Sequence, residues 1–261
     1  MKSALTISGL TGENGAGKST TINAALGLIG REAGRVSISG SEELDSGAKE
    51  EIGVVFDGSN YPDIRSPRKI SAVMKRIYRS WDEAAFFQLL KKLSLPPDKQ
   101  IRQFSKGMKM KLAISAALSH HSRLLILDEA TSGLDPVIRD DILDVFLDFV
   151  QDEEHSILMS SHISTDLEKI ADYITFIHQG KVLFCKSKDE LRYQYGVVRC
   201  GGEQFQAIAS EDVLAWRKED YQYSVLVADK EAAKRKYPNA VVDDATIDDI
   251  LVLYVKGAQK K

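Results

Sequence analysis

The chain has 261 residues, 35 of them basic and 38 acidic, with a formal net charge of -3 and 43% hydrophobic composition. That length suits one large domain with an appendage, and the near-balanced charge gives no bulk pull towards nucleic acid or anionic lipid, so no nucleic-acid partner is expected. No apolar run approaches the roughly 20 residues needed to cross a bilayer, so any membrane role has to be exercised through a partner.

Ala4 to Leu10 reads as a short strand, interrupted by Thr6 and Ser8 and so unlike a signal-peptide core, that runs into a glycine loop. Ser19 to Leu28 reads as the helix after that loop, ended by Gly30. Glu51 to Phe56 is a second strand. Ser66-Pro67 predicts an N-cap with proline at the first helical position, and Ser80-Trp81-Asp82-Glu83 a capping box opening a helix that Pro96-Pro97 stops. Residues 64–103 therefore read as a helical subdomain inserted into an α/β core, reaching about residue 120 with the helix that Ser105 begins.

RLLILDEA (123–130) and SILMSSH (156–162) carry apolar runs without alternation, as strands buried on both faces do. Between them Ile138, Ile142, Val145, Phe146, Phe149 and Val150 share one helical face, and strand, helix, strand in that order predicts a parallel sheet. Thr165-Asp166-Leu167-Glu168 predicts the cap of a further helix, and residues 173–184 a hairpin around Gln179-Gly180. Beyond about Asp189 come Gly201-Gly202, an alternating strand at 221–229, a short basic helix and an amphipathic end from Thr246 to Val255. Residues 191–261 are read as a C-terminal α+β accessory subdomain behind a main domain of 1–190. Cys185 and Cys200 form no C-x-x-C pair, which fits free thiols in a reducing cytosol.

Gly12-Glu13-Asn14-Gly15-Ala16-Gly17-Lys18-Ser19 satisfies G-x-x-x-x-G-K-[ST] between a strand and a helix. Backbone N–H groups of such a loop wrap a β-phosphate, Lys18 reaches the β and γ oxygens, Ser19 ligates Mg²⁺, and the helix adds its positive end. Asp128 and Glu129 close a buried strand, at the end where ligands bind in parallel sheets. Asp128 suits Mg²⁺, and Glu129 suits the orientation and deprotonation of an attacking water, a role worth about 10²–10⁴ in rate. In FSKGMKMKL (104–112), Ser105 is a natural N-cap, yet Lys106, Lys109 and Lys111 crowd the positive end of its helix, a conflict that a bound anion would remove; a solvated basic face is the alternative.

Taken in order, the motifs resemble those of the ATP-binding-cassette (ABC) family: Walker A at Gly12 to Thr20, a serine-led signature at Ser105, Walker B at Leu124 to Glu129, a D-loop at Ser132 to Asp135 and a switch histidine at His162. The resemblance covers about residues 4–190 and is strongest to bacterial ABC-2 type exporter ATPases. It implies a P-loop NTPase fold with a mostly parallel core sheet. It also implies an ATPase whose nucleotide contacts are Gly12, Asn14, Gly15, Gly17, Lys18, Ser19 and Thr20, with Ser105, Gly107 and Asp135 facing a second subunit. Mg²⁺ would be held by Ser19, Asp128 and Asp57, with Glu129 and His162 catalytic. The implied partners are a second nucleotide-binding subunit, forming a head-to-tail dimer around two ATP, and an integral membrane permease that holds the chain on the cytoplasmic face. Two other readings stay open: a soluble ABC-type protein without a transporter, and a nucleotide-binding module with weak turnover.

Four positions depart from the family pattern. Lys106 stands where the signature usually has glycine, Asp57 where the Q-loop has glutamine, and Asp128-Glu129-Ala130-Thr131 replaces D-E-P-T. Residues 1–10 contain no aromatic counterpart of the one that stacks on adenine ahead of Walker A. Base–aromatic stacking is worth about 1–3 kcal/mol per base, or about 5- to 150-fold in affinity. The expected result of equilibrium titrations with ATP and GTP is weak binding with little discrimination between the two; tight, ATP-selective binding contradicts it.

Overall fold

The computed structural model describes residues 6–38, 40–42, 45–58 and 61–258. They fall into two units, one ending at Ala171 and the other starting at Asp172. In the first, the unalternating apolar runs become parallel strands. The described part of the Ala4–Leu10 prediction is β1 (Ile7–Thr11), residues 4 and 5 lying outside the described set. Next come α1 (Lys18–Ala25), α2 (Ser46–Glu50), β2 (Ile52–Val55), α3 (Pro67–Ile77), α4 (Glu83–Lys92) and α5 (Lys106–Leu118). β3 (Leu124–Asp128), α6 (Pro136–Phe149), β4 (Ser156–Ser160) and α7 (Ser164–Ile170) complete the unit.

Its strands lie in the order β2-β3-β4-β1, every neighbouring pair parallel. Leu125, Ile126 and Leu127 of β3 are buried, as are Ile157 and Met159 of β4, and Ile142, Val145 and Phe146 of α6 are buried too. The expected α/β architecture with a parallel core is therefore the observed one. α3, α4 and α5 form the helical insert around Trp81, Phe86, Leu90, Ile101 and Phe104, all buried, with the Trp81 indole donating to Ser71 Oγ at 3.1 Å.

Helix ends differ from the sequence reading in three places. α1 stops at Ala25 with Leu26 as its C-cap, and Gly27, not Gly30, supplies the left-handed residue (φ 68°). Leu28 N–H bonds Asn23 O at 2.9 Å and Gly27 N–H bonds Ala24 O at 3.2 Å, the paired closure of a Schellman turn. The box expected from Ser80 to Glu83 does not form: Asp82 is the cap, accepting from Ala85 N–H at 2.8 Å, while the Ser80 hydroxyl donates to His120 O at 2.7 Å. The helix it opens ends at Lys92, ahead of Pro96-Pro97, as Ser94 turns into the left-handed region. α7 starts at Ser164 behind Ile163 with no side-chain cap, so Thr165 lies inside the helix.

The second unit opens with the antiparallel pair β5 (Tyr173–His178) and β6 (Lys181–Ser187), joined as predicted at Gln179 and Gly180, both with positive φ. It continues with α8 (Lys188–Tyr193), β7 (Gly196–Cys200), α9 (Gly202–Ala207), β8 (Ala215–Glu219), β9 (Gln222–Val227), α10 (Lys230–Lys236), β10 (Val241–Asp244) and α11 (Ile247–Lys256). An antiparallel sheet of order β10-β7-β9-β8 carries a core of Val198, Phe205, Ile208, Val225 and Val227, with Phe205 stacked on Tyr223 at 4.3 Å. Thr246 and Asp249 form a reciprocal capping box at α11, whose Ile247, Ile250 and Leu253 are buried, giving the amphipathic pattern its structural cause.

Candidate active site

Because β1 to β4 run parallel, their carboxyl ends share one edge of the sheet. That edge delivers the loop after Thr11, the residues after Val55, the carboxylates closing β3 and the Ser161-His162 pair after β4. The loop turns at Gly15 (φ 82°) and Gly17 (φ 112°), a region that only glycine enters without strain. Gly17 is also the N-cap of α1, which has no acidic residue in its first turn, so the helix presents bare N–H groups to an anion. Ser19 and Thr20 lie in that first turn, beside Lys18.

Lys18 is only 6% exposed. Its ammonium donates to Gly12 O at 2.8 Å and lies 3.2 Å from Glu129 Oε1. The other oxygen of Glu129, Oε2, is 2.5 Å from His162 Nδ1. Glu129 itself sits at φ 53°, just beyond the strand, with its N–H directed to Ser160. Asp128 is buried, its Oδ1 accepting from the Ser160 hydroxyl at 2.6 Å. Lys18, Glu129 and His162 are thus in direct contact, and Asp128 is linked to Glu129 through Ser160. The sequence reading passed over Ser160; the signal available for it was a hydroxyl closing an otherwise apolar buried strand.

A second group gathers at the start of α5. Ser105 caps the helix as expected, accepting from Met108 N–H at 3.2 Å. The lysines do not crowd it uncompensated: Lys106 pairs with Asp57 at 3.2 Å, Lys109 with Asp63 at 2.8 Å and Lys111 with Asp141 at 2.8 Å. The conflict that pointed to a bound anion is therefore met inside the chain, by ion pairs that each contribute little in solvent. Asp57, a predicted metal ligand, is half-exposed and faces Lys106. Gly107 packs closely on α6: a Cβ there would lie 2.8 Å from Ile138 Cδ1, so that side chain would have to shift. Asp135 caps α6, accepting from Val137 N–H at 2.9 Å.

Below His162, Asp166 of α7 is buried 3.4 Å from Arg139 of α6. Neither its Oδ2 nor Thr131 Oγ1 has a hydrogen bond of good geometry. Burial pushes the Asp166 carboxyl up, and Thr131, Arg139, His162 and Lys169 offset that only in part.

Fold and site together define a P-loop nucleoside triphosphatase. The family model described as ABC transporter matches residues 3–132. The lantibiotic transport ATP-binding protein SrtF of Streptococcus pyogenes is 34% identical over 182 residues, which are 69% of this chain and 78% of that protein. The bacitracin transport ATP-binding protein BcrA of Bacillus licheniformis is also 34% identical, over 68% of this chain and 59% of its own length. A solved structure of an ATP-binding subunit of an ABC transporter superposes with a TM-score of 0.63 at 27% identity, covering 72% of this chain and 80% of that one. The chain belongs to the ABC transporter family, as an ATP-binding, ATP-hydrolysing subunit. Among the described residues no helix is long and apolar enough to cross a membrane.

Asp166 supplies a pH test. Its raised pKa means that the folded state holds the proton more tightly than the unfolded chain, so its contribution to stability is greatest in acid and falls as the pH rises through that pKa. Asp166→Asn, neutral throughout, lacks that loss. In paired urea denaturations the stability of the variant relative to wild type is expected to rise between about pH 3 and about pH 7. A flat or opposite trend contradicts the assignment.

Proposed function

We propose that two nucleotide-binding subunits, this chain with a copy or a paralogue, close head to tail around two ATP. Their opening and closing drives an integral membrane permease, most simply an exporter, with this subunit on the cytoplasmic face. The observation that carries the reading is the placing of Glu129 between Lys18 and His162, at 3.2 and 2.5 Å. The names of two relatives, for lantibiotic and bacitracin transport, support a transport partner.

In this reading the loop N–H groups and α1 seat the β-phosphate, with Gly12, Asn14, Gly15, Gly17, Ser19 and Thr20 lining it, and Lys18 neutralises charge on the β and γ oxygens. Glu129 orients the attacking water and accepts its proton, and His162 holds one carboxylate oxygen so that the other, paired with Lys18, turns to the water as Lys18 engages the phosphates. Ser105 and Gly107, with Asp135 beside them, meet the γ-phosphate bound by the other subunit.

Ser19 and Asp128 fit Mg²⁺: both are hard oxygen donors, and among the described residues no group of three or more His, Cys, Asp or Glu could cage a metal by itself. An ion completed by phosphate oxygens and water is the arrangement that Mg²⁺ favours. Held by Ser19 and Asp128, it would supply positive charge against the negative charge of the triphosphate. Asp57, turned to Lys106, reaches such an ion only after giving up that pair or through a water.

The domain plan that goes with this reading is an ATPase domain of 1–190 and an accessory subdomain of 191–261. Measured phosphate release from Mg²⁺·ATP is expected to fall by about 10²–10⁴ in Glu129→Gln with ATP binding kept, whereas Lys18→Ala loses binding as well. Equal turnover by wild type and Glu129→Gln removes Glu129 as the base.

A further inference from the structure

Two serines follow the apolar residues of β4, and both are fully buried. A hydroxyl out of reach of water is costly unless it is bonded, and the two are bonded to different ends. Ser161 serves the backbone: its N–H donates to Leu10 O at 3.1 Å and its Oγ accepts from Ile163 N–H at 2.9 Å, shaping the turn into α7. Ser160 serves the two acidic residues. Its one hydroxyl hydrogen goes to Asp128 Oδ1 at 2.6 Å, within the short range of bonds to a charged acceptor. Its oxygen then accepts from Glu129 N–H at 3.0 Å, a donor shared with the Ser160 carbonyl at 3.2 Å. The parallel register makes Asp128 and Ser160 direct partners, so the sheet itself fixes this geometry.

We propose that Ser160 is the positioning residue for both carboxylates of the reaction, a role that rests on the function assigned above. By engaging Oδ1 it sets the rotation of the Asp128 carboxylate and leaves Oδ2 to turn towards the metal. By accepting from the Glu129 N–H it supports that residue's left-handed backbone (φ 53°), a conformation that persists only where its surroundings impose it. That backbone is what aims the Glu129 side chain at Lys18 and His162 rather than along the strand direction. One hydroxyl therefore couples metal placement to base placement.

The test uses the full chain with Ser160→Ala, and with Ser160→Cys, which keeps the shape but donates weakly. Mn²⁺ affinity in the presence of ATP is read by electron paramagnetic resonance in the non-turning Glu129→Gln background; kcat and KM for Mg²⁺·ATP are read with Glu129 intact. Residues that orient metal ligands typically account for about 10- to 100-fold in affinity or activity. A loss of that size is expected in Mn²⁺ affinity and in kcat for Ser160→Ala, with KM for ATP at saturating Mg²⁺ little changed and Ser160→Cys intermediate. A merely structural hydroxyl would lower the melting temperature and leave Mn²⁺ affinity and kcat alone, and that result overturns the proposal. If Ser160→Ala does not fold, Ser160→Cys decides by the same two readouts. Wild-type protein that binds Mn²⁺ and ATP without releasing phosphate would sink the proposed function, while the Mn²⁺ comparison would still decide the role of Ser160.

Discussion

The parallel register of β1, β4 and β3 is the constraint on which the site depends. Ile7 opposite Ile157 and Asp128 opposite Ser160 bring three strand ends to one level. A slip of one residue would reverse every side chain on a strand and move Asp128 off the edge. The register is held by burial, with Leu125, Leu127, Ile157 and Met159 on one face of the sheet and Ile126 on the other all out of solvent. The hydrophobic core thus brings the strand ends together, and the hydrogen bonds of Ser160 act within that frame.

On that edge a small charge network is arranged around Glu129. Lys18 is nearly buried, and its hydrogen bond to Gly12 O holds the ammonium against the glycine loop. His162, more exposed, holds the opposite oxygen of the same carboxylate. Glu129 is in this way flanked by one ammonium and one imidazole. At the start of α5 the logic differs: three lysines are balanced by three aspartates, so these side chains leave no uncompensated positive charge there.

Spacing made the phosphate loop, the β3 carboxylates and the order of the motifs legible, because each requires particular residue types at fixed separations along one local segment. The parallel core was legible for a similar reason, from apolar runs without alternation at 124–127 and 157–159. Helix ends were less so. Gly27 and Asp82 cap where Gly30 and Ser80 were expected, because a cap depends on where the chain turns and several suitable residues lie nearby. The partners of Lys109 and Lys111 were invisible since Asp63 and Asp141 lie 46 and 30 residues away, and only the fold brings them close. Ser160 escaped for the same cause: its meaning is the residue it faces across the sheet.

The claim most exposed to test is that Glu129 and His162 act as one unit. Groups in contact couple, whereas independent sites add. A double-mutant cycle on phosphate release, comparing Glu129→Gln, His162→Ala and the double variant, measures that coupling directly. The account predicts that the double variant is little slower than Glu129→Gln alone, because His162 works through that carboxylate. Losses that multiply in full would contradict it, placing His162 on a part of the reaction that Glu129 does not control.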